Sequence, residues 1–464
     1  MRALFSCAIA LTGCSTLLGV EPLGSGDAGT SDSAPGVDAA PHYSLTVRKA
    51  ADGTGEGAIT AAAIGLDCGA GCATQTIVLA GPAAVEVQVA PSSGTFFQGW
   101  SGPCHGPARR CTIQVDGDVE VGARLTSITQ NLMFATAAKF GANLGGVAGA
   151  DQKCADAAQA AGLAGIWVAV VSVENGDNAP DHLLMSAPGQ VGGWIRLDGA
   201  PVADDLAALV NDQRLFYPVA FDELGNRIPA DDDEVWTGSN ARMFWSGASC
   251  GDWAATTGTG TVGAAARGPG QWMASRTSVC TATARLYCAM VNRSTTVAPP
   301  APTAGKKIYI SNADVAFGPA QGTSQADAAC VASAPTGVTS AHALLATNSR
   351  AAAALLDPAA TYVRPDGVAV GTGADLIAAS AGERVLEAAP WQTGGGLYAS
   401  TDQEIWSGSA TLAGLGNSGT TCSDWAVGAN KANTGQVNAT SAAFWSGRSA
   451  RCDATGVRAL CVED

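Results

Sequence analysis

Between Tyr43 and Leu125 apolar and polar residues alternate in five short runs, YSLTVRKA, QTIVLA, AVEVQVAP, CTIQVDG and VEVGARL, broken by Gly, Pro and Asp. Successive side chains on a strand point to opposite faces, so this period of two predicts half-buried strands and a small all-β module over 43–126. From Asn131 the pattern changes. A strand, NLMFATA, leads through a Gly-containing loop into the Ala-rich run GADQKCADAAQAAG. There Cys154, Ala157, Ala158 and Ala161 stand at i, i+3, i+4 and i+7, the narrow apolar stripe of a helix. A buried strand, GIWVAVVS, follows. The loop-rich middle holds a second predicted helix in DGAPVADDLAALV, and the closing strand is ARLYCAMV. From Lys306 the same order returns as KKIYISN, SQADAACVASAP, AHALLATN and VRALCVE.

The return is a duplication. EVWTGSNARMFWSGASCGDW begins at Glu234 and EIWSGSATLAGLGNSGTTCSDW at Glu404, and each runs from an acidic residue through Trp-Thr/Ser-Gly-Ser to a Cys followed by x-Asp-Trp. The cysteines agree: Cys154, Cys250, Cys280 and Cys288 are spaced by 96, 30 and 8 residues, and Cys330, Cys422, Cys452 and Cys461 by 92, 30 and 9. A repeat of roughly 160 residues is too long for a solenoid unit and suits a globular domain. The boundaries expected are 127–292 and 307–464, joined by an extended Pro/Thr/Ala linker, RSTTVAPPAPTAG, over 293–306. A helix cysteine near the start of each unit and a strand cysteine at its end are expected partners, Cys154–Cys288 and Cys330–Cys461. That leaves Cys250–Cys280 and Cys422–Cys452 nested inside.

Composition narrows the class. Only 14% of the 464 residues are charged, against about a quarter usually, and the formal net charge is −15. Nucleic-acid binding needs clustered Lys and Arg, and this balance argues against it. The first residues, MRALFSCAIALTGC, join one basic residue and a short apolar stretch to Leu11-Thr12-Gly13-Cys14. This resembles the lipobox of bacterial lipoproteins, which implies a signal peptide over 1–13 and lipidation at Cys14. Ser15 after that Cys fits, by the same resemblance, a lipid-anchored protein of the outer membrane, surface-exposed or facing the periplasm. Residues 14–42, rich in Gly, Ser, Ala, Asp and Pro, cannot bury enough apolar area to order themselves and read as a flexible tether. In an exported chain even groups of cysteines read as disulfides rather than zinc thiolates.

Two further resemblances follow. Asp67-Cys68-x-x-x-Cys72, then Gly99-Trp100-Ser101-Gly102-x-Cys104 and the later Cys111, resemble the divergent B-repeats of internalin-type surface proteins. That implies a spacer or adhesin stalk with Trp100 as a core anchor, and pairs Cys68–Cys72 and Cys104–Cys111 are expected. The nested cysteines with Trp-Ser/Thr-Gly before the second of them resemble the C-type lectin-like fold, in the endostatin-like branch found in bacterial lipoproteins. The fold class expected is thus multidomain: a small all-β repeat module followed by two α+β lectin-like domains.

Candidate chemistry is sparse. Gly247-Ala248-Ser249-Cys250-Gly251 matches a nucleophile elbow, but Ser249 abuts an expected disulfide and the second unit reads GTTCS. The four histidines, 42, 105, 182 and 342, show no metal-binding spacing, and no phosphate loop or dinucleotide fingerprint occurs. The expectation is a protein without catalytic residues. Sugar-binding relatives of the lectin-like fold hold calcium with Glu-Pro-Asn or Gln-Pro-Asp and Trp-Asn-Asp, and neither set is present. The carboxylate run Asp231 to Glu234 keeps calcium as an alternative for the first unit, with only Asp402 and Glu404 in the second. Trp236 and Trp406 are expected in the core, and Asp252 and Asp424 on local backbone. In the first unit the loops before the last strand place Asn240, Arg242, Phe244, Trp245 and Gln271 as candidate ligand contacts, with Phe244 and Trp245 as caps of the core beneath a loop as the alternative. In the second they place Asn417, Asn430, Lys431 and Asn433. Amides beside an aromatic suit sugar hydroxyls and C–H faces. The function expected is binding or adhesion to an extracellular glycan or protein, with a structural envelope role as the alternative and hydrolysis as a remote one.

Overall fold

The computed structural model describes residues 42–174, 176–186, 192–269, 271–300, 303–318, 322–400 and 403–464. The expected signal peptide, Cys14, the tether up to 41 and Asp402 lie outside these residues. The protein is multidomain and mostly β, with several sheets and few helices. Among the described residues no strand pairing crosses from the segment before 128 to that of 131–290, or from there to that of 306–463.

The first segment packs two four-stranded sheets face to face. One has the spatial order Thr74–Leu79, Tyr43–Lys49, Asp118–Ser127, Thr95–Ser101; the other runs Leu66–Cys68, Gly57–Ala61, Ala83–Pro91, Arg110–Val115. Alternation does what it predicts: Val85, Val87 and Val89 point inward, the residues between them outward. Both sheets feed one core with Leu45, Ile59, Val121 and Trp100. Trp100 is buried and its Nε1 donates to the Ala108 carbonyl at 2.7 Å. The strands Gly57–Ala61 and Leu66–Cys68 were not expected. Nor was Thr95–Ser101; the first of the three is short and rich in Gly and Ala, the second has only three residues, and the third breaks the alternation with two adjacent Phe and a Gly, so each lacks a clear period of two.

The second and third segments repeat one order of elements. In each the opening strand (Asn131–Ala135; Lys306–Ile310) lies antiparallel beside the final one (Thr283–Met290; Leu460–Glu463). A second strand (Trp167–Ala169; Ala341–Ala343) takes the final strand's other edge. The strand that opens the repeated phrase (Glu234–Trp236; Glu404–Trp406) runs parallel to a strand at the end of its own segment (Thr283–Met290; Val457–Arg458) and pairs with Thr259–Ala264 or Lys431–Gln436. The Ala-rich helices are Gly146–Ala160 and Ser324–Ala332. The first buries Ala150, Cys154 and Ala158, while Ala157 packs at the margin. The predicted second helix is shorter than its sequence run. Pro201–Ala203 is a strand, and the helix is Leu206–Asn211, started by Asp205, whose carboxylate accepts from the Ala208 amide at 2.6 Å. Its counterpart Gly373–Ser380 begins with a capping box of Thr372 and Asp375.

Six cysteine pairs stand at disulfide distance, and they are the six expected. In the long nested pairs, Cys154–Cys288 and Cys330–Cys461, the Cα atoms are 5.3 and 5.4 Å apart. Each ties the helix to the final strand.

The Pro/Thr/Ala linker alone leaves the placement of the repeats open; the structure packs them together. Arg227 donates to Glu387 Oε1 at 2.9 Å, Tyr217 Oη accepts from the Ala369 amide at 3.0 Å, and Asn438 Nδ2 donates to the Pro269 carbonyl at 3.0 Å. Phe216 joins Val368 and Ala388 in an apolar cluster across the boundary. Gly268 approaches so closely that a Cβ there would collide with the Asn438 carbonyl and stand 2.8 Å from the Ala389 Cβ. The first segment is seated as well: Phe96 and Ile128 enter the core of the second, and Arg109 donates to the Ala161 carbonyl at 2.7 Å.

Candidate functional site

The repeated phrase folds into one local device, present twice. Cys250, Gly251, Asp252 and Trp253 have φ of 51°, 61°, 53° and 66°, and Cys422, Ser423, Asp424 and Trp425 have 53°, 54°, 62° and 64°. Each is a single left-handed helical turn. For L-residues that hand costs about 1–2 kcal/mol per residue, and only Gly251 is exempt, so packing must hold the turn in place. A disulfide anchors its first residue. Its last is a fully buried Trp whose indole N–H donates to a distant carbonyl: Trp253 to Ser172 at 3.1 Å, Trp425 to Ala346 at 2.8 Å. Asp252 accepts from the Glu174 amide and Asp424 from the Asn348 amide, both at 2.8 Å. The expectation of a local backbone partner is corrected here: the two aspartates bind a loop more than seventy residues earlier.

The Trp-Thr/Ser-Gly-Ser half closes the device. Trp236 and Trp406 are fully buried, as expected, and donate to the Phe140 and Val315 carbonyls at 2.9 and 2.6 Å. Gly238 has φ of 62°, and a Cβ there would lie 2.8 Å from the Trp253 ring; at Gly408 it would lie 2.7 Å from Trp425. The phrase therefore recurs as a packing solution. Ser249 spends its hydroxyl on Asp252 Oδ1 at 2.8 Å, and among the described residues no histidine hydrogen-bonds it. His182 sits instead against Asp151 at 3.0 Å.

The candidate ligand contacts are only partly brought together. Asn240, Arg242, Phe244 and Trp245 share one turn: Asn240 Oδ1 accepts from the amides of Arg242 at 2.9 Å and Phe244 at 3.3 Å. Phe244 is 41% exposed, while Met243, with φ of 68°, is the turn's core residue. Trp245 is half-buried, its amide donates to Asn178 Oδ1 at 2.8 Å, and its indole N–H is buried with no acceptor among the described residues. Gln271 is not in this group. It lies at the boundary between the repeats, 3.4 Å from the side-chain amide of Gln436. In the second repeat Asn417 is exposed, but its Oδ1 accepts from the Gly419 amide at 2.9 Å and its carbonyl from Thr421, so it builds the entry to the left-handed turn. Asn430 is half-buried and donates to Ser423 Oγ at 2.8 Å. Lys431 is exposed, and Asn433 lines a shallow recess of about 420 Å³ with Arg448.

The four carboxylates from Asp231 to Glu234 diverge. Asp232 pairs with Lys139 and Arg285, Glu234 with Arg276, and Asp231 faces solvent. Asp233 is buried, accepts from the Ala266 amide at 3.2 Å, and burial raises its pKa. Among the described residues no three His, Cys, Asp or Glu side chains gather as a cation would require.

One constellation was missed. Arg196-Leu197-Asp198-Gly199 and Arg364-Pro365-Asp366-Gly367 occupy equivalent places and form the same buried ion pair, with 3% and 0% of each arginine exposed. Arg364 grips Asp366 with both Nε at 3.1 Å and Nη2 at 2.7 Å. Burial by itself would raise the Asp366 pKa, but the charge and hydrogen bonds of Arg364 outweigh it and hold the carboxyl below its ordinary value. The signal was in the sequence as a second repeated phrase, Trp-Ile-Arg-Leu-Asp-Gly against Tyr-Val-Arg-Pro-Asp-Gly.

No family model matches the chain, and no curated protein matches it.

Proposed function

We propose that the chain is a lipid-anchored cell-envelope protein that carries two C-type lectin-like domains on a B-repeat-like β module and serves in binding or adhesion without catalysis, a glycan being the first ligand to test. The duplication carries this reading: one device of two tryptophans, a left-handed turn and a nested disulfide supports two turns of unlike chemistry. Residues 240–245 offer an exposed Phe and a half-buried Trp, whereas 410–420 offer Thr, Gly and Asn beside an exposed Leu415 and no aromatic. Loops on a fixed scaffold are where recognition diverges while the frame stays the same. The side-by-side first and last strands and the nested cysteine pairs support the lectin-like assignment.

The structural-envelope reading draws on a separate observation, that Asn417 Oδ1 and Asn430 Nδ2 are engaged in hydrogen bonds to the protein itself. The two readings part in one experiment. The full chain is applied to glycan and polysaccharide arrays and to cells, with and without calcium. Binding that Trp245→Ala abolishes with little change in melting temperature places the ligand at the first turn. Silence on arrays and cells alike supports the structural role.

A further inference from the structure

Docking the two repeats creates a feature that neither repeat has alone: an open cleft of about 840 Å³ whose walls come from both. That size lies within the range of small-ligand sites. One wall is the stretch from Arg227 to Asp231 with Arg267; the other is Asp375 in the first turn of the helix Gly373–Ser380, the turn that follows the helix and Ser441. The residues are not equivalent between the repeats, because the repeats meet through different surfaces.

Its chemistry is specific. Three guanidiniums line it, and each already faces a carboxylate: Arg227 bonds Glu387, Arg384 bonds Asp375, and Arg267 bonds Ser441 and lies 3.7 Å from the buried Asp233. Two further carboxylates, Asp231 and Glu383, are exposed at the rim with no side-chain partner among the described residues. Carboxylates thus outnumber cations, and a polyanion would be repelled. The apolar lining is confined to small or branched side chains such as Ile228 and Val385, without an aromatic face for a base or a lipid tail. What the cleft does offer is acceptor and donor side by side, repeated along its length. A vicinal diol fits that arrangement, each hydroxyl donating to a carboxylate and accepting from the neighbouring guanidinium.

We propose that this cleft is a composite binding site for a non-acidic oligosaccharide, neutral or carrying amino-sugar ammonium groups, and that it exists only while the repeats are docked. This rests on the binding reading above and moves the ligand from the separate loops to the junction. Asp231 and Glu383 take hydroxyl or ammonium donors, and Arg267 supplies a donor from the floor.

The test uses the full chain on a printed array of neutral, amino-sugar and uronic-acid oligosaccharides, with cell adhesion measured in parallel. Binding is expected to the first two classes only. The rim variant Asp231→Asn/Glu383→Gln should weaken it at least about tenfold at unchanged melting temperature, because two charge-assisted hydrogen bonds are lost. Gly268→Val, which forces the boundary apart, should abolish binding while the repeats begin to melt separately. Binding confined to uronic acids overturns the proposal. So does binding that survives in the rim variant but disappears in Trp245→Ala, an outcome that keeps the binding reading and returns the ligand to the loop. An array that stays silent while cells still adhere likewise removes the cleft and spares the broader reading; silence in both removes both.

Discussion

Gly238→Ala tests whether the repeated phrase is a packed device. The added methyl would stand 2.8 Å from the Trp253 ring and 2.6 Å from the Ser172 carbonyl, the acceptor that the same Trp uses. Neither neighbour has room to yield, since Trp253 is fully buried and the Ser172 backbone is bonded to Thr237. Overpacking of this kind costs about 1–3 kcal/mol, and placing a β-carbon at φ of 62° adds about 1 kcal/mol. A loss of about 2–4 kcal/mol in a domain of this size lowers its melting temperature by roughly 4–16 °C. Gly247→Ala is the control. Its φ is 93°, but a Cβ there meets nothing within 4 Å, so only the conformational cost of about 1 kcal/mol applies. Gly408→Ala should repeat the Gly238 result in the second repeat, where the methyl would lie 2.7 Å from Trp425. Scanning calorimetry of the three variants gives the comparison directly. If Gly238→Ala and Gly247→Ala destabilise equally, the contact between glycine and tryptophan is not what makes the phrase necessary, and the account given of it fails.

Non-reducing peptide mapping should find the nested pairs Cys154–Cys288 around Cys250–Cys280 and Cys330–Cys461 around Cys422–Cys452; a crossed pair such as Cys154–Cys250 would refute the lectin-like assignment. Reducing an outer pair should cost about 5 kcal/mol and an inner one nearer 4 in the chain-entropy account, read as loss of urea resistance. Cys14→Ser should stop incorporation of labelled fatty acid and release the protein from membranes, and continued labelling would remove the lipobox reading. The Asp366 carboxyl has a folded pKa below its unfolded one, so its contribution is present above the unfolded value and disappears as pH falls through the folded one. Asp366→Asn should therefore flatten the acid limb of the stability–pH curve, and it should cost about 3–5 kcal/mol at neutral pH because Arg364 is left buried without its counter-charge. An acid limb as steep as in the parent chain would refute that.

Much of the architecture is legible without coordinates. Valines at every second position of Ala83–Pro91 announce a half-buried strand, because burial on a strand has a period of two. The matched cysteine spacings and the twice-written tryptophan phrase reveal the duplication, since copies of a domain keep the residues that pack and staple it. Identity of partners is another matter. Asp252 reads as an ordinary turn residue until the fold brings Glu174 to it, and Arg196 and Arg364 read as surface cations until their aspartates accompany them into the interior. Gln271 and Asn430 look like free amides in a loop; one lies at the repeat boundary and the other ties down a strained turn. Local patterns record how much of each residue is buried. They carry no record of which distant backbone group satisfies a polar side chain, nor of a boundary formed by two unlike surfaces of one duplicated domain. Those were decided only when chain segments far apart in sequence were packed together, and there the composite cleft arises.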